Sequence, residues 1–385
     1  MEKLFSTYKK WPFAVVDGQD FHVTDDEGKT YTDLTSGIGV MNLGYHYPSV
    51  QKAVEAQLQH IWHTSNLYET PQQEQVATQL TYGLHFSEDY LCFFGNSGTE
   101  ANEAALKMAR RYTGKTKIMN FDRGFHGRTY GSLTVTPLPA IQKGFGVDTS
   151  DVVTVPFNSQ AAIDRLDDSF AALIIEVVQG EGGVQPADKA WLQALVARAQ
   201  DVGVLVIVDE VQTGIGRTGS LFASQQYDIE PDIITSAKGL GSGLPVGAMI
   251  GKAKLKTAFP YGAHGTTFGG NPVVMASASA TLAALTPELL AGVQAKGKAA
   301  LAKMADWPET IPVVMAVRGL GLMLGIQLDE TIPVEDVVDA LHDQNILTLT
   351  AGGNTLRLLP PLIIDESALL NALVAIGQTL ANWGK

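Results

Sequence analysis

Short apolar runs alternate with amphipathic stretches through the middle of this chain. The runs lie at 91–94, 117–121, 152–155, 172–178, 204–208, 232–237 and 248–250, each of strand length. Between the first two, Ala101, Ala104, Ala105, Met108, Ala109 and Tyr112 recur at helical spacing, and 191–200 gives another helical pattern. Strand–helix alternation predicts an α/β unit built on a mostly parallel sheet. From Asn271 a long alanine-rich helical stretch leads away from it. Beyond that, 319–328 reads as one strand. Val334, Val337, Val338 and Leu341 form one helical stripe, and Leu369, Ala372, Leu373, Ile376 and Leu380 form another. These predict a smaller α+β domain. The first 45 residues, with turns at Asp17-Gly18 and Glu27-Gly28, are expected to join it as short strands. The expected division is 46–275 for the large domain and 1–45 with 276–385 for the small one.

Composition narrows the function. Of 385 residues, 45% are hydrophobic and 17% charged, a globular balance. A net charge of −13 without a basic cluster speaks against nucleic acid and anionic lipid as partners. One cysteine, Cys92, excludes an internal disulfide and points to a reducing compartment. No apolar run approaches membrane-spanning length and the start lacks a signal-like core, so a cytoplasmic protein with no membrane partner is expected.

Two charged residues end strand-like runs: Asp209, and Lys238 twenty-nine positions later. Such groups are costly to desolvate without partners. Together they suit one chemistry, in which the lysine forms a Schiff base with an aldehyde cofactor and the carboxylate keeps that cofactor's ring nitrogen protonated. In open α/β sheets, ligands bind beyond the carboxyl ends of the strands. Five loops leave such ends, at 95–100, 122–128, 179–183, after Asp209 and at Lys238, and one crevice can receive all of them.

Ser97 and Glu100 fit a capping box, while the amides of Gly98 and Thr99, with the Thr99 hydroxyl, also suit a phosphate. Phe125 fits either a core or a stacking surface for a planar ring. Arg128 is either a surface arginine or a carboxylate clamp. Glu181, set among glycines, fits neither helix nor strand and reads as functional. Arg357 interrupts an apolar run, where an arginine needs a partner anion.

Other motif matches fail on context. Residues 109–116 fit a relaxed phosphate-loop pattern, but they close a helix and enter a strand, the reverse of what such a loop needs. Gly214-Ile215-Gly216-Arg217-Thr218-Gly219 matches a dinucleotide fingerprint and leaves a nucleotide-dependent oxidoreductase as the alternative of another class. Too little chain follows it for the required helix. His60 and His63 lack companions for a metal site, so no metal is expected.

Several separated motifs, in order, carry a family resemblance. Asn96-Ser97-Gly98-Thr99-Glu100-Ala101-Asn102-Glu103, Phe125-His126-Gly127-Arg128-Thr129, Gln179-Gly180-Glu181-Gly182-Gly183, Asp209-Glu210-Val211-Gln212-Thr213-Gly214, Lys238-Gly239 and Gly265-Thr266-Thr267-Phe268-Gly269-Gly270-Asn271-Pro272 resemble the class III, pyridoxal-phosphate-dependent aminotransferases. The likeness spans 33–362. It implies an aspartate-aminotransferase-like, fold type I large domain that binds pyridoxal 5'-phosphate. It further implies Lys238 as the Schiff-base lysine, Asp209 on the pyridinium nitrogen, Gln212 near the ring hydroxyl, and Val211 and Phe125 on the two ring faces. Gly98, Thr99 and Thr267 would hold the phosphate. In this family Thr267 comes from the second subunit, which implies a homodimer with shared active sites. Thr266 and Arg128 would touch the amino donor. Arg357 would fork onto 2-oxoglutarate, and Glu181 would neutralise Arg357 while the donor is bound. Within the class, 64–68 and Arg357 with Pro360-Pro361-Leu362 look most like enzymes acting on N2-acetylornithine. Ornithine, succinylornithine, 4-aminobutyrate and diamines are the neighbouring donors. Tyr45 and Tyr47 around His46, and Thr99 in place of a frequent alanine, depart from that pattern.

Overall fold

The computed structural model describes residues 3–383; Met1, Glu2, Gly384 and Lys385, at the outer ends of the expected small-domain segments, lie outside the described residues. The apolar runs pair into one seven-stranded sheet. Its order is Tyr90–Gly95, Gly247–Lys252, Ile233–Ser236, Leu205–Asp209, Phe170–Ile175, Lys117–Phe121, Val152–Val155. Gly247–Lys252 runs antiparallel to both neighbours, and every other pairing in the sheet is parallel. Phe170–Ile175 and Leu205–Asp209 are buried at every position, as strands covered on both faces must be.

The covers follow from helix patterning. On one face Met119, Phe121, Leu173 and Val206 pack with Leu192 and Leu195 of the helix Lys189–Asp201. On the other, Ile118, Ala172, Ile174 and Ile207 meet Ala104, Ala105, Met108 and Ala109 of the helix Gly98–Thr113. That helix ends at Gly114, whose φ of +70° suits glycine and whose amide caps onto Arg110. The phosphate-loop lookalike is therefore a helix end.

The rest of the chain forms smaller sheets. Val314–Leu320, Met323–Leu328, Thr355–Leu358 and Leu349–Ala351 make an antiparallel sheet. It shares a core with the helices Pro287–Met304, Val334–Asp343 and Glu366–Ala381. Val15–Gln19, His22–Asp25 and Thr30–Asp33 form another sheet, closed by Ile346–Leu347 in parallel with Thr30–Asp33.

Four expectations need correction. The strand read at 319–328 is a hairpin that turns at Gly321, where φ is +57° and a side chain would meet the Thr218 backbone. The run at 172–178 breaks after Ile175, so Glu176 stands at the strand end. The alanine-rich stretch splits into Pro272–Ala284 and Pro287–Met304. Pro287 holds Thr286 extended at ψ 158°, and Thr286 caps the second helix. Among the described residues, no single helix is long and apolar enough to cross a membrane. The capping box is also offset: Ser97 Oγ accepts from the Glu100 amide, but the Glu100 carboxylate accepts from the amide of Asn96 at 2.7 Å.

Candidate active site

All five strand-end loops open into one cavity of about 460 Å³. Of the residues singled out from sequence, Gly98, Thr99, Phe125, Arg128, Glu181, Asp209, Val211, Gln212 and Lys238 line it. Arg357 lies one layer back, its Nη1 2.6 Å from Glu181 Oε1.

Lys238 follows the strand Ile233–Ser236 by two residues and starts a short 3-10 turn. Its φ of +46° is unusual for a non-glycine residue, a strain characteristic of groups held for function. Burial lowers its pKa to about 8, although Glu181 opposes the shift.

Asp209 is held rigidly at the end of its strand. Its Oδ2 accepts from Asn102 Nδ2 at 2.8 Å and lies 2.9 Å from His126 Nδ1, while its Oδ1 accepts from the Val211 amide at 3.0 Å. Asn102 also accepts from Thr235 Oγ1 at 2.7 Å, which sets its amide so that Nδ2 points to Asp209. His126 and Asn102 were not singled out from sequence. The helix that opens at Gly98 brings Asn102 one turn onward over the strand ends, and that spacing was the available signal.

Gly98 and Thr99 open the long helix, whose first amides and dipole favour an anion. Gly98 lets Val211 pack directly on the start of the helix: a Cβ there would meet the Val211 methyls at 2.7 and 2.8 Å. The Thr99 hydroxyl is engaged with Thr129 Oγ1 at 2.8 Å and Ser132 Oγ at 2.5 Å. Arg128 is exposed at the rim, its guanidinium 5.6 Å from the Phe125 ring centre.

Glu181 and Arg357 form the second charged pair. Burial alone would raise the Glu181 carboxyl, but the charge and hydrogen bond of Arg357 outweigh it and hold it below the ordinary range. Arg357 Nη1 also lies 3.3 Å from Gln212 Oε1, and its buried Nε has no hydrogen-bond partner.

Thr266 and Thr267 line a neighbouring cavity of about 600 Å³ with His63, Ser65, Asn66 and Leu67, and Thr266 Oγ1 accepts at 3.3 Å from Nδ2 of Asn96, which lines the first cavity. Asn66 ties that loop down through the carbonyls of Thr266 and Gly269. Gly214–Gly219 does not open a helix of dinucleotide type. Arg217 from it is fully buried, bonded to Leu322 O, Pro360 O and Asn42, so it serves as a structural post.

Comparison with known proteins bears on the family and the fold. The family model for aminotransferase class-III matches residues 6–380. The chain is 53% identical over 380 residues to the acetylornithine aminotransferase of Lactiplantibacillus plantarum, covering 99% of this chain and 97% of that one. The N-acetylornithine aminotransferase structure from Stenotrophomonas maltophilia superimposes with a TM-score of 0.83 at 32% identity, covering 98% of this chain and 97% of that one. The ornithine aminotransferase structure from Toxoplasma gondii gives 0.92 at 28% identity, covering 98% and 92%.

Proposed function

Because this chain belongs to the class III aminotransferases, we propose that it moves the terminal amino group of N2-acetylornithine to 2-oxoglutarate. The products are N-acetylglutamate 5-semialdehyde and glutamate, a step suited to arginine biosynthesis in the cytoplasm. The enzyme is pyridoxal-phosphate dependent, and the residues present fit that cofactor. Gly98 and Thr99 offer the first helix amides to the phosphate, Val211 packed on Gly98 and Phe125 line the walls, and Asp209 and Lys238 supply a carboxylate and an amine in the same cavity.

When bound, pyridoxal phosphate supplies an aldehyde that links to amines and a ring that accepts the electron pair left when a proton departs. Asp209 would hold the proton on its ring nitrogen, and the Asn102 and His126 contacts keep that carboxylate aimed. Lys238 would hold the cofactor's aldehyde carbon, and its Nζ would move the proton at the reacting carbon. Its lowered pKa makes the neutral amine accessible near neutral pH.

One observation supports the choice of donor: Arg357 is paired with Glu181 and keeps a buried Nε unsatisfied, while Arg128 stands at the rim. A donor that reacts at its terminal amine carries its carboxylate away from the reacting carbon, toward Arg128. Glu181 keeps Arg357 neutralised meanwhile, since an unpaired buried arginine is costly. 2-Oxoglutarate brings a carboxylate beside the reacting carbon, where Arg357 can bind it with two donors once Glu181 yields.

A homodimer with shared sites completes the proposal, with Thr267 reaching the phosphate and Thr266 the donor of the neighbouring subunit. The exposed apolar side chains Trp62, Leu67, Tyr68 and Phe268 beside or near the Thr267 cavity support that reading. The test is a donor panel with 2-oxoglutarate on the yellow holoenzyme. N2-acetylornithine should give the highest kcat/KM; preference for ornithine, 4-aminobutyrate or a diamine would replace this assignment.

A further inference from the structure

The cavity contains a carboxyl group that none of these roles uses. Glu176 leaves the end of the strand Phe170–Ile175, lines the cavity and is 7% exposed. Its Oε1 accepts the Phe125 amide at 2.9 Å and its Oε2 accepts the Gly180 amide at 3.1 Å. Those amides belong to different loops. One loop carries Phe125, His126 and Arg128. The other carries Glu181 and, through it, Arg357. Gly180 has no room for a side chain, because a Cβ there would press into the Gln212 amide. Both loops are thus hung from one buried carboxyl group.

We propose that Glu176 is a positioning residue that sets the distance between Arg128 and the Glu181–Arg357 pair, and through it the length of substrate the site accepts. The inference rests on the reading of Arg128 and Arg357 as the two carboxylate sites. Its physical basis is that a buried carboxyl group is kept only where its oxygens are satisfied, and here they are satisfied by the two amides that need placing. Burial raises its pKa, His126 opposes the shift, and Asp209 adds to it. Lys238 also feels its charge. The amide contacts favour the ionised form and Asp209 disfavours it, so the group stays in place only as part of this network.

The experiment compares Glu176→Gln and Glu176→Asp holoenzymes. Gln keeps one amide bond and turns a donor toward the other amide; Asp is one methylene too short to reach both. Each should raise KM for the terminal-amine donor and for 2-oxoglutarate on the order of tenfold, the equivalent of one lost hydrogen bond, with a smaller change in kcat. Each should also flatten the dependence of kcat/KM on chain length across a series of ω-amino acids. Folded variants with wild-type KM values and length profile overturn the proposal. So does an Asp variant that behaves as wild type while Gln shifts the pH midpoint of the bound cofactor's absorbance, which would make Glu176 a charge acting on Asp209. Arg128→Ala is measured alongside. If it leaves donor KM unchanged, the carboxylate reading falls and this inference falls with it; if it raises KM while both Glu176 variants do not, only this inference falls. Should a variant not fold, hydrogen exchange on the wild-type holoenzyme decides: both the Phe125 and Gly180 amides should be protected, and rapid exchange at either overturns the bridge.

Discussion

Arg357 and Glu181 meet at 2.6 Å between Nη1 and Oε1, with the arginine side chain 4% exposed and the glutamate 33% exposed. The arginine is the fixed partner and the glutamate the one with room to leave. This asymmetry is what a switch between two carboxylate-bearing substrates requires.

Removing Glu181 should therefore change preference more than rate. In Glu181→Ala, Arg357 is free to attract α-carboxylates at all times. The ratio of kcat/KM for a terminal-amine donor to that for an α-amino donor should fall roughly 10- to 100-fold, the span of a charge-assisted hydrogen bond. An unchanged ratio in steady-state assays would remove the switch. In the wild type, Glu181 is held below its ordinary pKa. The pair's contribution is therefore complete above the unfolded carboxylate value and is lost only as pH falls through the lowered one.

Lys238 has a signature in the stability of the cofactor-free protein. Its pKa is about 8 when folded, against 10.5 for an ordinary exposed lysine. The unfolded chain then binds more protons between those values, so stability rises with pH across that window, by roughly 2–3 kcal/mol at most. Chemical unfolding of wild type and Lys238→Met from pH 8 to pH 10 should show the stability of the wild type rising relative to the variant, since every other group titrates in both. Lys238→Met should also lose transamination.

The close approach of Val211 to Gly98 can be disturbed deliberately. In Gly98→Ala the new methyl must displace the Val211 methyls. Cofactor affinity, titrated by absorbance, should weaken about 10-fold or more, while the cofactor-free protein melts within a few degrees of wild type. Unaltered affinity would place the cofactor's phosphate elsewhere.

Subunit mixing tests shared sites. Lys238→Met and Thr267→Glu proteins should each be inactive, the second by repelling a phosphate. A heterodimer of the two would hold one intact site, so an unfolded-and-refolded equimolar mixture should recover about a quarter of wild-type activity. No recovery, with dimers present on sizing, would confine each site to one chain.

Much of this protein was legible without coordinates, for reasons visible in particular residues. The strands 117–121 and 152–155 were read with the bounds they have, because each is a short apolar run, the first largely buried and the second half-buried at the sheet edge. Lys238 and Asp209 stood out because charge at the end of such a run needs a reason. Nine of the residues singled out then line one cavity, because parallel strands deliver their carboxyl ends to one edge.

Tertiary structure decided what depends on distance rather than order. Glu176 was hidden inside an apparent strand because Val177 and Val178 continue the apolar pattern past its true end. Asn102 and His126 became partners of Asp209 only when a helix and a loop far away in sequence folded against the same strand edge. Thr267 could be read as a phosphate contact only by resemblance, and the single chain places it in a different cavity from Lys238. Hydrophobic periodicity reports burial, and burial builds the sheet. Which polar atoms then face one another within 3 Å is set by packing, and the residue pattern along the chain carries no record of it.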